Sequence, residues 1–169
     1  MKTQVIIAIC GEDYDGLINQ LTVKTKALGG KWLANKLTHL DGYIAGLLKM
    51  EIDADQLDAF KAMTKAFSEV RFSIYEISDN PSHHRPAFRV TIEGEDRSGL
   101  TSEITQLLYD QDVHLLHFQS QRFPVVGLGT GVFEATLDIE MPDTLTFETL
   151  KTRLEALDPQ MKVFLTDSD

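Results

Sequence analysis

Cysteine is nearly missing from this chain: Cys10 is the only one in 169 residues. An internal disulfide is excluded, and with it the plan of a disulfide-stapled secreted domain. Long apolar runs are missing as well, none approaching the roughly 20 residues that cross a bilayer. Met1-Lys2-Thr3-Gln4 leads straight into a β-branched stretch, with no apolar signal region or small-residue cleavage site. Positive charge is scarce: 16 Lys and Arg stand against 26 Asp and Glu, a formal net charge of −10. Nucleic-acid binding relies on basic residues that neutralise phosphates, so direct contact with DNA is not expected. No nucleophile–base pair or cofactor fingerprint stands out. The expectation is a cytoplasmic protein that is not an enzyme, carries no cofactor and does not touch a membrane.

What the chain does have is a repeat. Gly11-Glu12-Asp13-Tyr14-Asp15-Gly16-Leu17 recurs as Gly94-Glu95-Asp96-Arg97-Ser98-Gly99-Leu100, an offset of 83. Each copy follows a β-branched run, Val5 to Ile9 or Phe88 to Ile92, and each opens a helical pattern. A strand–turn–helix junction leaves the first N–H groups of the helix unpaired, and such an end attracts small anions, a carboxylate included. Asp13 and Asp96 beside those donors suit a cationic group. Together these features suit an amino acid. The same aspartates and glycines would also serve as helix caps and turn formers; the doubling makes a ligand site at one turn or both the reading pursued.

Around the motif the two halves run in parallel. Residues 4–10 alternate as a strand, and Asp13 or Asp15 is placed to cap a helix carrying Leu17, Ile18, Leu21 and Leu28. Gly29-Gly30 ends that helix. Residues 31–40 and 43–52 form a hairpin about Asp41-Gly42, with Ile44, Leu48, Met50 and Ile52 inward. A second helix, started by Asp53 or Asp55, carries Leu57, Phe60, Met63 and Phe67, and residues 70–77 close the unit. The second half repeats this order. Ser98 is placed to cap its first helix and Thr144 or Thr146 its second. Phe133, Ala135, Leu137, Ile139 and Met141 alternate with polar residues. Residues 78–86 hold two prolines and no aliphatic side chain, and read as an extended linker. The expected domains are 1–77 and 87–169, joined by 78–86. Each is an α+β, ferredoxin-like βαββαβ unit, a four-stranded antiparallel sheet with two helices on one face. Exposed edge strands invite pairing, within the chain and between copies as a homodimer.

The pattern strand, Asp-x-x-Gly-Leu, helix, strand resembles the ACT family of small amino-acid-binding regulatory domains. Residues 88–123 carry it most fully, through Phe88 to Ile92, Asp96 to Leu100 and Glu103 to Leu108; the first half matches through Asp13, Gly16 and Leu17. The resemblance implies a ligand held where one domain's strand–helix turn meets a neighbour's second strand. On this chain the ligand-binding positions are then Asp13, Gly16 and Leu17, and Asp96, Gly99 and Leu100. Where many ACT domains carry Gly-Val-Asn entering the second strand, this chain has Gly30-Lys31-Trp32 and Asp112-Val113-His114. A stand-alone pair of such domains, with no enzyme or helix-turn-helix attached, is similar to regulators that repress transcription through a DNA-binding partner, with glycine as the favoured ligand. The alternative is a detached regulatory subunit of an amino-acid metabolic enzyme.

Other candidates are weaker. His114 and His117, three apart on a predicted strand, are expected to face opposite ways and so not to chelate together. His83 and His84 fall in the linker, and Cys10 has no base assigned to it; no metal site is expected. Gly127 to Gly131 lacks the Gly-Lys-Ser/Thr ending of a phosphate loop and precedes a strand, which suits a mobile hairpin instead. The acidic excess reads as solvated surface or as a face for a basic partner.

Overall fold

The computed structural model describes residues 1–77, 86–125 and 131–166. The chain divides into two compact units, Met1–Pro81 and Ser82–Asp169. Residues 78–85 of the 78–86 linker reading, and 127–130 of the Gly127–Gly131 hairpin reading, lie outside the described residues.

Alternation of branched aliphatic and polar residues makes the strands of unit 1: β1 (Lys2–Glu12), β2 (Lys31–Leu40), β3 (Tyr43–Asp53) and β4 (Val70–Glu76). Between them lie α1 (Leu17–Ala27) and α2 (Leu57–Thr64), the latter entered through a short 3-10 turn, Ala54–Gln56. All neighbours are antiparallel, in the order β2-β3-β1-β4. Unit 2 repeats this with β5 (Ala87–Glu95), α3 (Leu100–Asp110), β6 (His114–Pro124), β7 (Gly131–Glu140), α4 (Phe147–Glu155) and β8 (Lys162–Thr166), in the order β6-β7-β5-β8. Two ferredoxin-like α+β units are therefore present.

Each unit has its own core. In unit 1 the inward residues of β1 and β3 (Val5, Ile7, Ile9, Ile44, Leu48, Met50) meet Leu17, Leu21 and Phe60 of the helices. In unit 2 Val90, Ile92, Phe133, Leu137 and Ile139 meet Leu100, Ile104, Leu150 and Leu154. The helices thus lie on one face of each sheet. Burial of such side chains contributes about 1.5–3 kcal/mol apiece. Trp32, opposite Met50 on β2, packs against the first core; its indole N–H is buried with no hydrogen-bond partner among the described residues.

Local chemistry differs from expectation at three places. The aspartates and Ser98 do not cap α1 and α3, because a glycine takes the N-cap position of each: Gly16 (φ 86°) and Gly99 (φ 85°) are left-handed, and no side chain bonds either helix end. Thr146 does cap α4, its hydroxyl accepting from the Thr149 N–H at 3.3 Å. Asp53 precedes the 3-10 turn without a side-chain cap, and α2 stops at Thr64, leaving Phe67 buried in the turn beyond. Finally, β2 and β6 each carry a bulge, between Trp32 and Ala34 and between Leu115 and His117. The extra residue resets the alternation. His114 and His117 lie opposite Glu140 and Asp138, two apart on β7, and so share the face turned away from the helices. Among the described residues no group of three or more His, Cys, Asp and Glu is placed to hold a metal ion.

Candidate functional site: the paired strand–helix turns

β1 and β5 deliver the two turns to equivalent places. The Asp13 N–H donates to the Gly42 carbonyl at 2.9 Å, and the Asp96 N–H to the Gly131 carbonyl at 2.8 Å. The first turn is thereby tied to the Asp41-Gly42 turn of the β2–β3 hairpin, and the second to the start of β7. The chain then passes through the left-handed glycine, where a Cβ would be strained, and enters the helix. Leu17 and Leu100 follow at once, both 1% exposed. Their side chains anchor the helix start in the core, and the Leu17 N–H is bonded to the Tyr14 carbonyl at 3.1 Å.

The aspartate side chains, freed from capping, reach the second strand of their own unit. Asp13 Oδ2 lies 3.2 Å from His39 Nε2 on β2. Asp96 Oδ1 accepts from Arg122 Nε on β6 at 2.9 Å. Arg122 also reaches Thr101 Oγ1 through Nη2 at 3.4 Å and lies over the Phe133 ring, 5.4 Å from its centroid. His39 and Arg122 are themselves separated by 83. Both pairs are partly open to solvent. An arginine carries its charge at every working pH, whereas an imidazole does so only when protonated, so the two sites are not electrostatically equal. The same repeat that reveals the turns, extended into the second strands, is the signal that would have found His39 and Arg122.

Arg97 is the other residue the motif alone does not explain. It stands where unit 1 has Tyr14, and it clamps the turn to α3 and to the connection that follows α4. Its two terminal nitrogens donate to the Glu103 carboxylate at 2.7 Å each, Nε donates to Asp158 at 3.2 Å, and Nη2 also reaches the Leu157 carbonyl. These bonds push the Arg97 guanidinium above its ordinary value, and the same bonds from Arg97 hold Glu103 below the usual carboxylate range.

Within one unit the turn and the start of the second strand sit at opposite ends of the first helix. Eleven residues at about 1.5 Å each separate them by roughly 16 Å. Trp32 and Asp13 therefore do not share one unit's site.

This backbone arrangement is found in solved structures. An unknown protein from Galdieria sulphuraria superposes with a TM-score of 0.85 at 16% identity, over the whole of both chains. A protein provisionally assigned as a glycine cleavage system transcriptional repressor superposes at 0.71 and 14% identity, over 99% of each chain. The two ferredoxin-like α+β units are thus an arrangement that recurs over the full length of both structures. At these identities the likeness extends to the fold alone. No family model and no curated protein matches the sequence.

Proposed function

We propose that this chain is an amino-acid-sensing regulatory protein whose ligand, a small amino acid with glycine favoured, binds at one or both strand–helix turns. The observation that carries the reading is the doubled pairing of an aspartate with a nitrogen side chain, His39 or Arg122, beside a helix N-terminus that no side chain caps. A zwitterion needs both signs within a few ångströms. Asp13 or Asp96 takes the ammonium group; His39 or Arg122 and the helix N–H groups take the carboxylate. Gly16 and Gly99 let the backbone approach closely, and Leu17 and Leu100 hold the turn still. No turnover is assigned to either site.

The downstream role proposed is transcriptional repression in the cytoplasm by a homodimer acting through a DNA-binding regulator. The net charge of −10 supports an indirect route, and one protein of the same two-unit fold bears a repressor's assignment. Ligand occupancy would alter partner affinity by linkage between the two binding events.

A thermal-shift titration of the purified chain against the twenty amino acids tests the sensor. Binding to the folded state alone raises the melting temperature by mass action. Glycine is expected to raise it, and Asp96→Ala or Asp13→Ala to abolish the shift at the active turn. Absence of any shift with every amino acid would refute the ligand role and return both pairs to structural clamps.

A further inference from the structure

The sheet faces turned away from the helices differ sharply between the two units. At the centre of that face unit 1 places Ile6, Ala8 and Cys10 on β1 opposite Lys49, Leu47 and Ala45 on β3, with Tyr43 next along β3 opposite Glu12. The equivalent places in unit 2 hold Arg89, Thr91 and Glu93 beside Val132, Glu134 and Thr136. One backbone plan thus carries a polar face once and once a face with an apolar centre, bordered by Lys36, Lys49 and Arg71. The apolar one is open: Leu40 is 75% exposed, Tyr75 58%, Tyr43 54% and Leu47 50%. Exposed large apolar side chains grouped on one sheet face suit an interaction surface.

Relief, size and charge point to a second copy as its occupant. Tyr43, more than half exposed, borders two clefts, one of about 690 Å³ lined also by Ala8, Cys10 and Arg71. The other, of about 430 Å³, is bordered by Thr38, Leu40 and Ala45. An exposed ring beside a cleft on one surface is self-complementary under two-fold symmetry. Four strands spaced about 4.8 Å apart and ten residues long present roughly 600 Å² in projection, near the ~800 Å² per partner of a stable interface. By sequence, unit 1 carries a net charge of −2 and unit 2 one of −8. Two copies therefore meet through unit 1 with far less repulsion than through unit 2. The β2 edge, with its bulge and Lys31 and Lys36, is poorly suited to strand pairing.

We propose that two copies of this chain associate through the open sheet faces of unit 1, each Tyr43 seated in a cleft beside its counterpart. This deepens the homodimer part of the reading above, and does not depend on amino-acid binding at the turns.

Light scattering of the full chain across a dilution series, paired with alkylation of Cys10, tests it. Cys10 is the only thiol and is exposed in the single chain, so it reports whether the face is covered. The wild type is expected to be a dimer with a slowly alkylated thiol. Leu47→Asp should weaken dimerisation by about a hundredfold, the scale of losing a central contact, and unmask Cys10. Thr136→Asp, at the matching place in unit 2, should do neither. Leu47→Thr, which transplants the unit 2 side chain, gives the same direction if Leu47→Asp fails to fold. A wild type that stays monomeric overturns this proposal and the dimer reading together. A dimer that survives both Leu47 variants, with Cys10 alkylated freely, overturns the face and leaves a dimer through another surface.

Discussion

Asp13 and Asp96 show how one residue can be placed correctly by sequence while its partner escapes notice. Both fall at the end of the first strand of their unit, as the doubled motif requires, but the bond each makes runs to a residue 26 positions on. Sequence proximity suggested capping; the left-handed glycine at the cap position removed that role and released the carboxylate toward His39 or Arg122. Arg97 was likewise invisible as a clamp, because Glu103 lies on α3 and Asp158 in the connection after α4, 61 residues away. Its consequence is measurable. Glu103 is held below its ordinary value of 4.5 by Arg97, so the folded state binds fewer protons than the unfolded one as acid is added. The stabilisation is complete above pH 4.5 and disappears as the pH falls through the lowered value. Glu103→Gln should flatten that part of the acid dependence of the melting temperature and leave the neutral-to-alkaline limb unchanged in slope. Glu103 is exposed and Arg97 partly so, which keeps the effect modest.

At the scale of the element, strands and helices were largely legible because their burial follows the simple periods of two and 3.6. β2 begins and ends where the glycine pair and the Asp41-Gly42 turn place it. What escaped was anything that breaks a period. The bulge in β6 turns His114 and His117 to a common face, against the alternation rule. The early end of α2 leaves Phe67 buried yet non-helical. Capping separates the elements experimentally. Thr146→Ala removes the hydroxyl that holds the Thr149 N–H and should cost about 1 kcal/mol in chemical denaturation. Ser98→Ala, the same deletion beside a glycine-capped helix, should cost no capping energy at all. Equal losses from the two would mean that Ser98 does support α3.

At the scale of the whole molecule, the chain is one architecture used twice with different surfaces. The two cores share no residue. Phe60, fully buried in unit 1, and Phe133, fully buried in unit 2, are therefore matched probes of the two halves. Phe60→Ala and Phe133→Ala should each destabilise their own unit by about 3–5 kcal/mol. Scanning calorimetry should then resolve an early transition followed by one near the original temperature. A single shared transition in both variants would show that the units unfold as one cooperative body.

The molecule labels one of its halves for that experiment. Trp32 is the only tryptophan, and its ring rests against the core of unit 1. Intrinsic fluorescence excited at the red edge of the tyrosine band therefore watches one half of the chain and is blind to the other. Emission should redden early in Phe60→Ala and stay native through the early transition of Phe133→Ala. An optical readout of which domain opens first comes built into the sequence, with no dye attached.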